Sequence, residues 1–197
     1  MRIVGGKSRG LILSAPADER VRPTSDRVRE AIFNILAHND FGTGFRLEGA
    51  RVLDLFSGTG ALGLEALSRG AKYVLFVDDH AESRGLIRRN VEAMQATGVT
   101  KIWRRDATDL GPLPPNAGGP FDLMLLDPPY RKDLAGRALT SARDGAWLAA
   151  KALIVAEMAE DENFIAPAGF ALLDERVYGE TKVFVLGAAA RVGLAAV

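Results

Sequence analysis

Residues 51–63 read RVLDLFSGTGALG. The first half is a short run of Val and Leu, with the length and composition of a strand buried on both faces. The second half is a turn of small residues running into Ala61 and Leu62, where helical spacing begins. Gly58, Gly60 and Gly63 match G-x-G-x-x-G. That spacing permits a tight turn and a close approach of backbone to a ligand at the mouth of a helix. Dinucleotide dehydrogenases share it, so the glycines by themselves define a strand–turn–helix ligand loop and no particular chemistry.

Outward from this unit the chain alternates. Apolar runs at 73–77, 101–104, 121–126 and 153–157 read as strands, with the first strand at 51–56. Helical spacing covers about 61–69, 81–97 and 134–142, and a turn is expected near 146–149. Residues 170–178 and 182–186, joined by Gly179-Glu180-Thr181, read as a closing antiparallel pair. Upstream, Ile3–Val4 and Leu11–Leu13 flank a Gly-rich stretch and read as a hairpin. Pro23 and Thr24 open a helix through about Ala37, with Thr24 as its N-cap. The expectation is an α/β fold. Its sheet has seven strands, mostly parallel and covered on both faces, with an antiparallel C-terminal pair. Residues 1–40 form a hairpin-and-helix arm of the same domain, and residues 41–197 form the core. Ligands of such sheets sit beyond the carboxyl ends of the strands, where strand order reverses.

Acids stand at those ends. Asp54 precedes the glycines and suits a cationic amino group better than a pyrophosphate, which it would repel. Asp78 ends the second strand, 18 residues after Gly60, where an acid accepts both hydroxyls of a ribose. Asp79 competes for that role, but Asp78 directly follows the apolar strand. An adenosine bearing a cationic amino-acid tail is S-adenosylmethionine, which is the expected cofactor. Asp106, with Ala107, ends the third strand and could accept an adenine amino group; a turn or helix-cap role fits it nearly as well.

After the strand FDLMLL comes Asp127-Pro128-Pro129-Tyr130. The exocyclic amine of a base is a poor nucleophile, because its lone pair is delocalised into the ring. Two acceptors aimed at its hydrogens favour the tetrahedral geometry needed for attack. The Asp127 carboxylate and the Pro128 carbonyl supply them, held rigid by two fixed proline φ angles. Tyr130 offers a ring on which the base can stack.

Composition narrows the field. The chain has 197 residues, 48% of them hydrophobic, enough for one well-buried domain. With no cysteine and only His38 and His80, thiolate catalysis, cysteine-ligated zinc and a Ser-His-Asp triad are poorly supplied, and no metal is expected. No run reaches transmembrane length and the first ten residues lack a signal core, so a cytoplasmic protein is expected. Formal net charge is zero. Residues 1–30 nevertheless carry Arg2, Lys7, Arg9, Arg20, Arg22, Arg27 and Arg29 against Asp18, Glu19, Asp26 and Glu30. A basic arm on a neutral body suits an enzyme that grips nucleic acid at one end. Arg9, Arg22, Arg27 and Arg29 are the candidates for phosphate contact.

With both motifs placed, the chain resembles the Rossmann-like class I methyltransferases, and among them the ribosomal small-subunit methyltransferase D family. The likeness runs through MRIVGGKSRGLIL (1–13), RPTSDRVREAIFNIL (22–36), DLFSGTGALGLEALSRGA (54–71), FVDD (76–79), LDPPY (126–130) and VYGETKVFVL (177–186). It implies transfer of a methyl from S-adenosylmethionine, leaving S-adenosylhomocysteine, to N2 of a guanine in 16S ribosomal RNA, guanine 966 by similarity. It also implies cofactor contacts at Asp54, Phe56, Gly58, Gly60, Asp78, Asp106, Ala107 and Asp127, and chemistry at Asp127, Pro128 and Tyr130. The family usually has Glu at the position of Asp78. The implied partner is ribosomal RNA within a partly assembled small subunit, with neither a membrane nor a protein partner. The alternatives are a DNA adenine or cytosine amino-methyltransferase, a protein glutamine methyltransferase, an NAD-dependent oxidoreductase on the same loop, and a non-catalytic RNA-binding assembly factor.

Overall fold

A computed structural model describes residues 1–16 and 25–189. The elements run α1 (Asp26–His38), β1 (Arg51–Leu55), α2 (Ala61–Ser68), β2 (Tyr73–Val77), α3 (Ala81–Ala93), β3 (Thr100–Trp103), β4 (Phe121–Leu126), α4 (Leu134–Asp144), β5 (Leu148–Ala159), β6 (Phe170–Tyr178) and β7 (Thr181–Ala188). Among the described residues seven strands form one sheet in the order β3-β2-β1-β4-β5-β7-β6. β1 to β5 are parallel, and β7 joins antiparallel to both β5 and β6. This is the expected mixed α/β sheet. The chain steps outward from β1 to β3 and then returns to the other side of β1 as β4. The reversal point therefore lies between the carboxyl ends of β1 and β4.

Strand alternation divides the core. Val52, Phe76, Leu125 and Val155 meet α1, α2 and α3 on one face, while Leu53, Val77, Leu126 and Ala156 meet α4 and Trp147 on the other. Helix α2 is buried along its whole length. One side lies on the sheet, and the other lies under the N-terminal segment. There Val4 N–H donates to Glu65 Oε2 (2.9 Å), Lys7 N–H to the Ser68 carbonyl (2.8 Å) and Ser8 N–H to Ser68 Oγ (2.9 Å). No helix among the described residues is long and apolar enough to cross a membrane.

Several boundaries differ from the expected ones. The N-terminal hairpin is reduced to one bridge, Arg2–Ile12, with backbone bonds such as Ile3 N–H to Leu11 O. Gly5 and Gly6 are taken up by close packing on Arg69 and Ser68 at the end of α2, not by a ladder; a Cβ at Gly6 would overlap the Ser68 carbonyl. The cap of α1 is Ser25, whose hydroxyl accepts from Val28 N–H at 3.2 Å. Thr24, expected in that role, lies outside the described residues. Helix α3 stops at Ala93, and a 3-10 turn at Thr97–Val99 leads into β3. β5 starts at Leu148, where a turn was expected, because Phe121 pairs with Leu148 before a bulge restores the register at Leu123–Leu153.

Candidate active site

β1 ends in a sharp reversal. Phe56 takes a left-handed φ of 56°, and Gly58 and Gly60 follow at 54° and 78°. Ser57 closes the turn by donating to the Asp54 carbonyl (2.6 Å) and accepting from Val77 N–H (3.0 Å). The three glycines do different work. A Cβ on Gly58 would meet nothing nearer than the Phe56 carbonyl at 3.9 Å, so the loop offers open backbone there. Gly60 is the N-cap of α2. A Cβ on Gly63 would sit 2.5 Å from the Phe76 ring and 2.9 Å from Asp54 Oδ2, so this glycine lets α2 pack onto β2.

Asp54 is almost wholly buried and its Oδ2 accepts from Gly63 N–H at 2.9 Å. Burial pushes its carboxyl well above the usual carboxylate range. The Gly63 N–H works against that rise, and the charges of Asp127 and Asp78 add to it. The three acids therefore share one electrostatic neighbourhood at the switch point. Asp78 is 7% exposed; its Oδ2 accepts from Gly58 N–H and its Oδ1 from His80 N–H, both at 2.9 Å. The competing Asp79 faces outward and pairs with His80 Nδ1 at 2.6 Å. Asp78 is thus the acid laid against the glycine loop. Asp106 is exposed, and its Oδ1 accepts from both Thr108 N–H (2.7 Å) and Thr108 Oγ1 (2.8 Å). Those bonds hold its carboxyl low. It caps its own turn, and Ala107 is buried beneath it.

The tetrapeptide leaves β4 with Asp127 half-buried, Pro128 buried, Pro129 exposed and Tyr130 half-buried. The last registered row across the parallel strands is Val77–Leu55–Leu126–Ala156. One residue further on stand Asp78, Phe56, Asp127 and Glu157, side by side at the carboxyl edge of the sheet. The Tyr130 hydroxyl donates to Glu157 Oε1 at 3.2 Å. Burial, with the Glu157 and Asp127 charges, pushes the phenol up to about 12, against a hydrogen bond with Thr181 that lowers it. The hydroxyl stays a donor throughout the neutral range. Tyr130 and Glu157 border a cavity of about 200 Å3 that also touches Ser25, Arg27, Tyr178 and Thr181.

The arginine candidates separate sharply. Arg9 and Arg27 are exposed. Arg22 lies outside the described residues. Arg29 is not a phosphate ligand: it is fully buried, bonded to Asp26 Oδ1 at 2.7 Å and to the Arg2 carbonyl, with Nε 3.5 Å from Glu65 Oε2. The cause is its helical phase. Arg29 lies on the same stripe as Ile32, Phe33 and Leu36, which faces the core. Glu65, the one charged residue in the helix ALGLEALS, signals its buried partner. Sequence reasoning also passed over Glu157. Its signal was the one that marked Asp54 and Asp78, an acid at the end of a buried apolar strand.

A family model described as conserved hypothetical protein 95 matches residues 1–187. The ribosomal RNA small subunit methyltransferase D of Escherichia coli (strain K12) is 38% identical over 183 residues, covering 91% of this chain and 86% of the relative. The protein of the same name from Haemophilus influenzae is 33% identical over 180 residues, covering 91% and 89%. Among solved structures, the yhhF methyltransferase of Escherichia coli superposes with a TM-score of 0.80 at 31% identity, covering 97% of this chain and 99% of that one. A Haemophilus influenzae methylase superposes with a TM-score of 0.74 at 28% identity, covering 95% and 98%.

Proposed function

The chain belongs to the conserved hypothetical protein 95 family, that of the ribosomal RNA small subunit methyltransferases D, and from that premise we propose that it transfers a methyl group from S-adenosylmethionine to N2 of a guanine in small-subunit ribosomal RNA. The observation that carries this reading is that Asp127, which opens the tetrapeptide Asp127-Pro128-Pro129-Tyr130, stands one residue past the Leu55–Leu126 pair where the glycine loop begins, in one electrostatic neighbourhood with Asp54 and Asp78.

The residues fit the cofactor. Gly58 leaves open backbone at the loop, and a cationic ligand offsets the crowding of Asp127 and Asp78 against Asp54 that helps hold the Asp54 carboxyl high. Asp54 would face the amino-acid tail, and Asp78, released from the Gly58 N–H, the ribose hydroxyls. Phe56, Gly58 and Gly60 would line the loop side, and Asp106 with Ala107 the adenine end. When bound, that group supplies an electrophilic methyl on sulfonium sulfur.

The rest is done by the chain. The Asp127 carboxylate and the Pro128 carbonyl accept the two N2 hydrogens and turn the nitrogen lone pair out of the base plane. Tyr130 holds the base by stacking, so that nitrogen would meet the methyl carbon in line, and the Asp127 carboxylate takes up the proton that N2 loses as the methyl leaves sulfur. A guanine in folded RNA must be splayed out to reach this position. Arg9 on the anchored hairpin and Arg27 at the start of α1 supply phosphate contacts that set register. The substrate context is a partly assembled small subunit.

Incubation with labelled S-adenosylmethionine and separate nucleoside analysis of ribosomal particles, free RNA and DNA tests the reading. Label in N2-methylguanosine of small-subunit RNA is expected. Label confined to N6-methyladenine or N4-methylcytosine of DNA overturns it.

A further inference from the structure

Glu157 is buried in the sheet, with 3% of its surface exposed. It stands one residue past the pair Leu126–Ala156, as Asp127 does on the neighbouring strand. Adjacent strands lie about 4.8 Å apart, so two carboxylates are set side by side at the carboxyl edge. One opens a chemistry-bearing tetrapeptide. The other lines a cavity of roughly 200 Å3 together with Tyr130, Thr181 and the exposed Arg27 and Glu180. The buried acid offers an acceptor to a base, and Arg27 offers a cation to its phosphate.

The Tyr130 hydroxyl donates to Glu157 Oε1 at 3.2 Å, so this wall presents acceptor oxygen in a direction that the bond holds. A base edge facing such a wall must present donors. Guanine does so with N1–H next to its N2 amine, whereas adenine and cytosine present a ring nitrogen acceptor beside their amine. A site built around a buried acceptor rejects a base that lacks the matching donor, because the acceptor is then left facing a lone pair.

We propose that Glu157 is the specificity-determining residue of this enzyme, accepting the N1–H of the target guanine while Asp127 and Pro128 accept the hydrogens of its N2 amine. This rests on the guanine-N2 reading above. Tyr130 then serves the base twice, by stacking and by holding the Glu157 carboxylate toward N1.

2-Aminopurine separates the two acceptor roles. It keeps the amine at C2 but carries an unprotonated N1. Small-subunit RNA is ligated with guanine or 2-aminopurine at the modified position, assembled into particles, and assayed for kcat/KM with the wild-type chain and Glu157→Gln. The wild type is expected to prefer guanine by about 100-fold or more. Glu157→Gln, whose amide can donate to N1, is expected to bring the ratio within about tenfold. A wild type that uses both bases equally, or a Glu157→Gln that keeps the wild-type ratio, overturns the proposal. Should Glu157→Gln fail to fold by thermal melting, Glu157→Asp decides. Its shortened acceptor is expected to lower kcat/KM on guanine about tenfold or more while keeping the preference, and unchanged activity overturns the proposal. Absence of N2-methylguanosine from wild-type reactions is the separate failure of the parent reading, and it removes this inference with it.

Discussion

Arg29 Nε lies 3.5 Å from Glu65 Oε2, with neither side chain exposed, so an ion pair inside the core joins α1 to α2. Arg69 Nε reaches the same carboxylate at 2.7 Å and Val4 N–H reaches it at 2.9 Å. Removing Arg29 deletes its bonds to Asp26 and to the Arg2 carbonyl and empties a buried site, while Arg69 still balances Glu65. Arg29→Ala and Arg29→Met are each expected to lower stability by about 1–3 kcal/mol, read from urea denaturation. Loss of less than about 1 kcal/mol in both would show that the pair holds nothing together.

Arg27, two residues earlier, should behave oppositely. It is exposed and borders the cavity under Tyr130. Arg27→Ala is expected to leave the melting temperature unchanged and to weaken RNA binding. The slope of log affinity against log salt should fall by about one. An unchanged slope would remove Arg27 from the RNA contact surface.

Asp127→Ala should separate chemistry from cofactor binding. It removes an acceptor placed for the transition state, so a fall in kcat of about 100- to 1000-fold is expected. Calorimetry should give an S-adenosylhomocysteine affinity within about threefold of wild type, since Asp127 only adds to a field that Asp78 and Asp54 also set. Wild-type turnover in this variant would exclude the acceptor role.

Asp54 gives a pH test. Burial raises its carboxyl in the folded chain above the value of 3.8 that it has when unfolded. The native state therefore holds a proton that the unfolded state releases. The stability tied to that proton is full below 3.8 and is lost as pH climbs toward the raised folded value. A cationic tail binding beside Asp54 lowers its pKa and expels the proton. Titrations of S-adenosylhomocysteine in buffers of different ionisation enthalpy, run as a series upward from pH 3.8, should show in wild type a proton release that fades as pH passes the raised folded value and that Asp54→Asn lacks. Equal proton counts in the two would mean that the tail does not meet Asp54.

The glycines differ in a way that substitution can read. At Gly63 a Cβ would lie 2.5 Å from the Phe76 ring and 2.8 Å from Val74, so Gly63→Ala must push α2 off β2 and should destabilise by about 1–3 kcal/mol or more. At Gly58 the space is open, and the penalty is the left-handed backbone alone, about 1 kcal/mol. Gly58→Ala should therefore fold, and its main loss should be in cofactor affinity. Gly63→Ala that is as stable as Gly58→Ala would contradict the packing described.

Much of this molecule is legible in its letters. Short apolar runs placed the strands at 73–77 and 121–126 at their observed bounds, because each is buried on both faces; the edge strand at 170–178 was legible instead from the Gly179-Glu180-Thr181 turn that joins it to the next strand. Acids interrupting those runs at their ends marked Asp54 and Asp78, since a carboxylate beside a buried strand needs a reason to be there. What period and composition could not show is which distant residues meet. Arg29 reads in the sequence as a candidate phosphate contact or a surface partner of Asp26 or Glu30, and only the placing of Glu65 on α2 takes it into the core. Glu157 looked like the tail of a strand until the order β1-β4-β5 set it beside Asp127, thirty residues away in the chain. Local pattern is fixed by neighbours along the backbone. Charge pairing and pocket walls are fixed by strand order and helix phase, which only the assembled sheet decides.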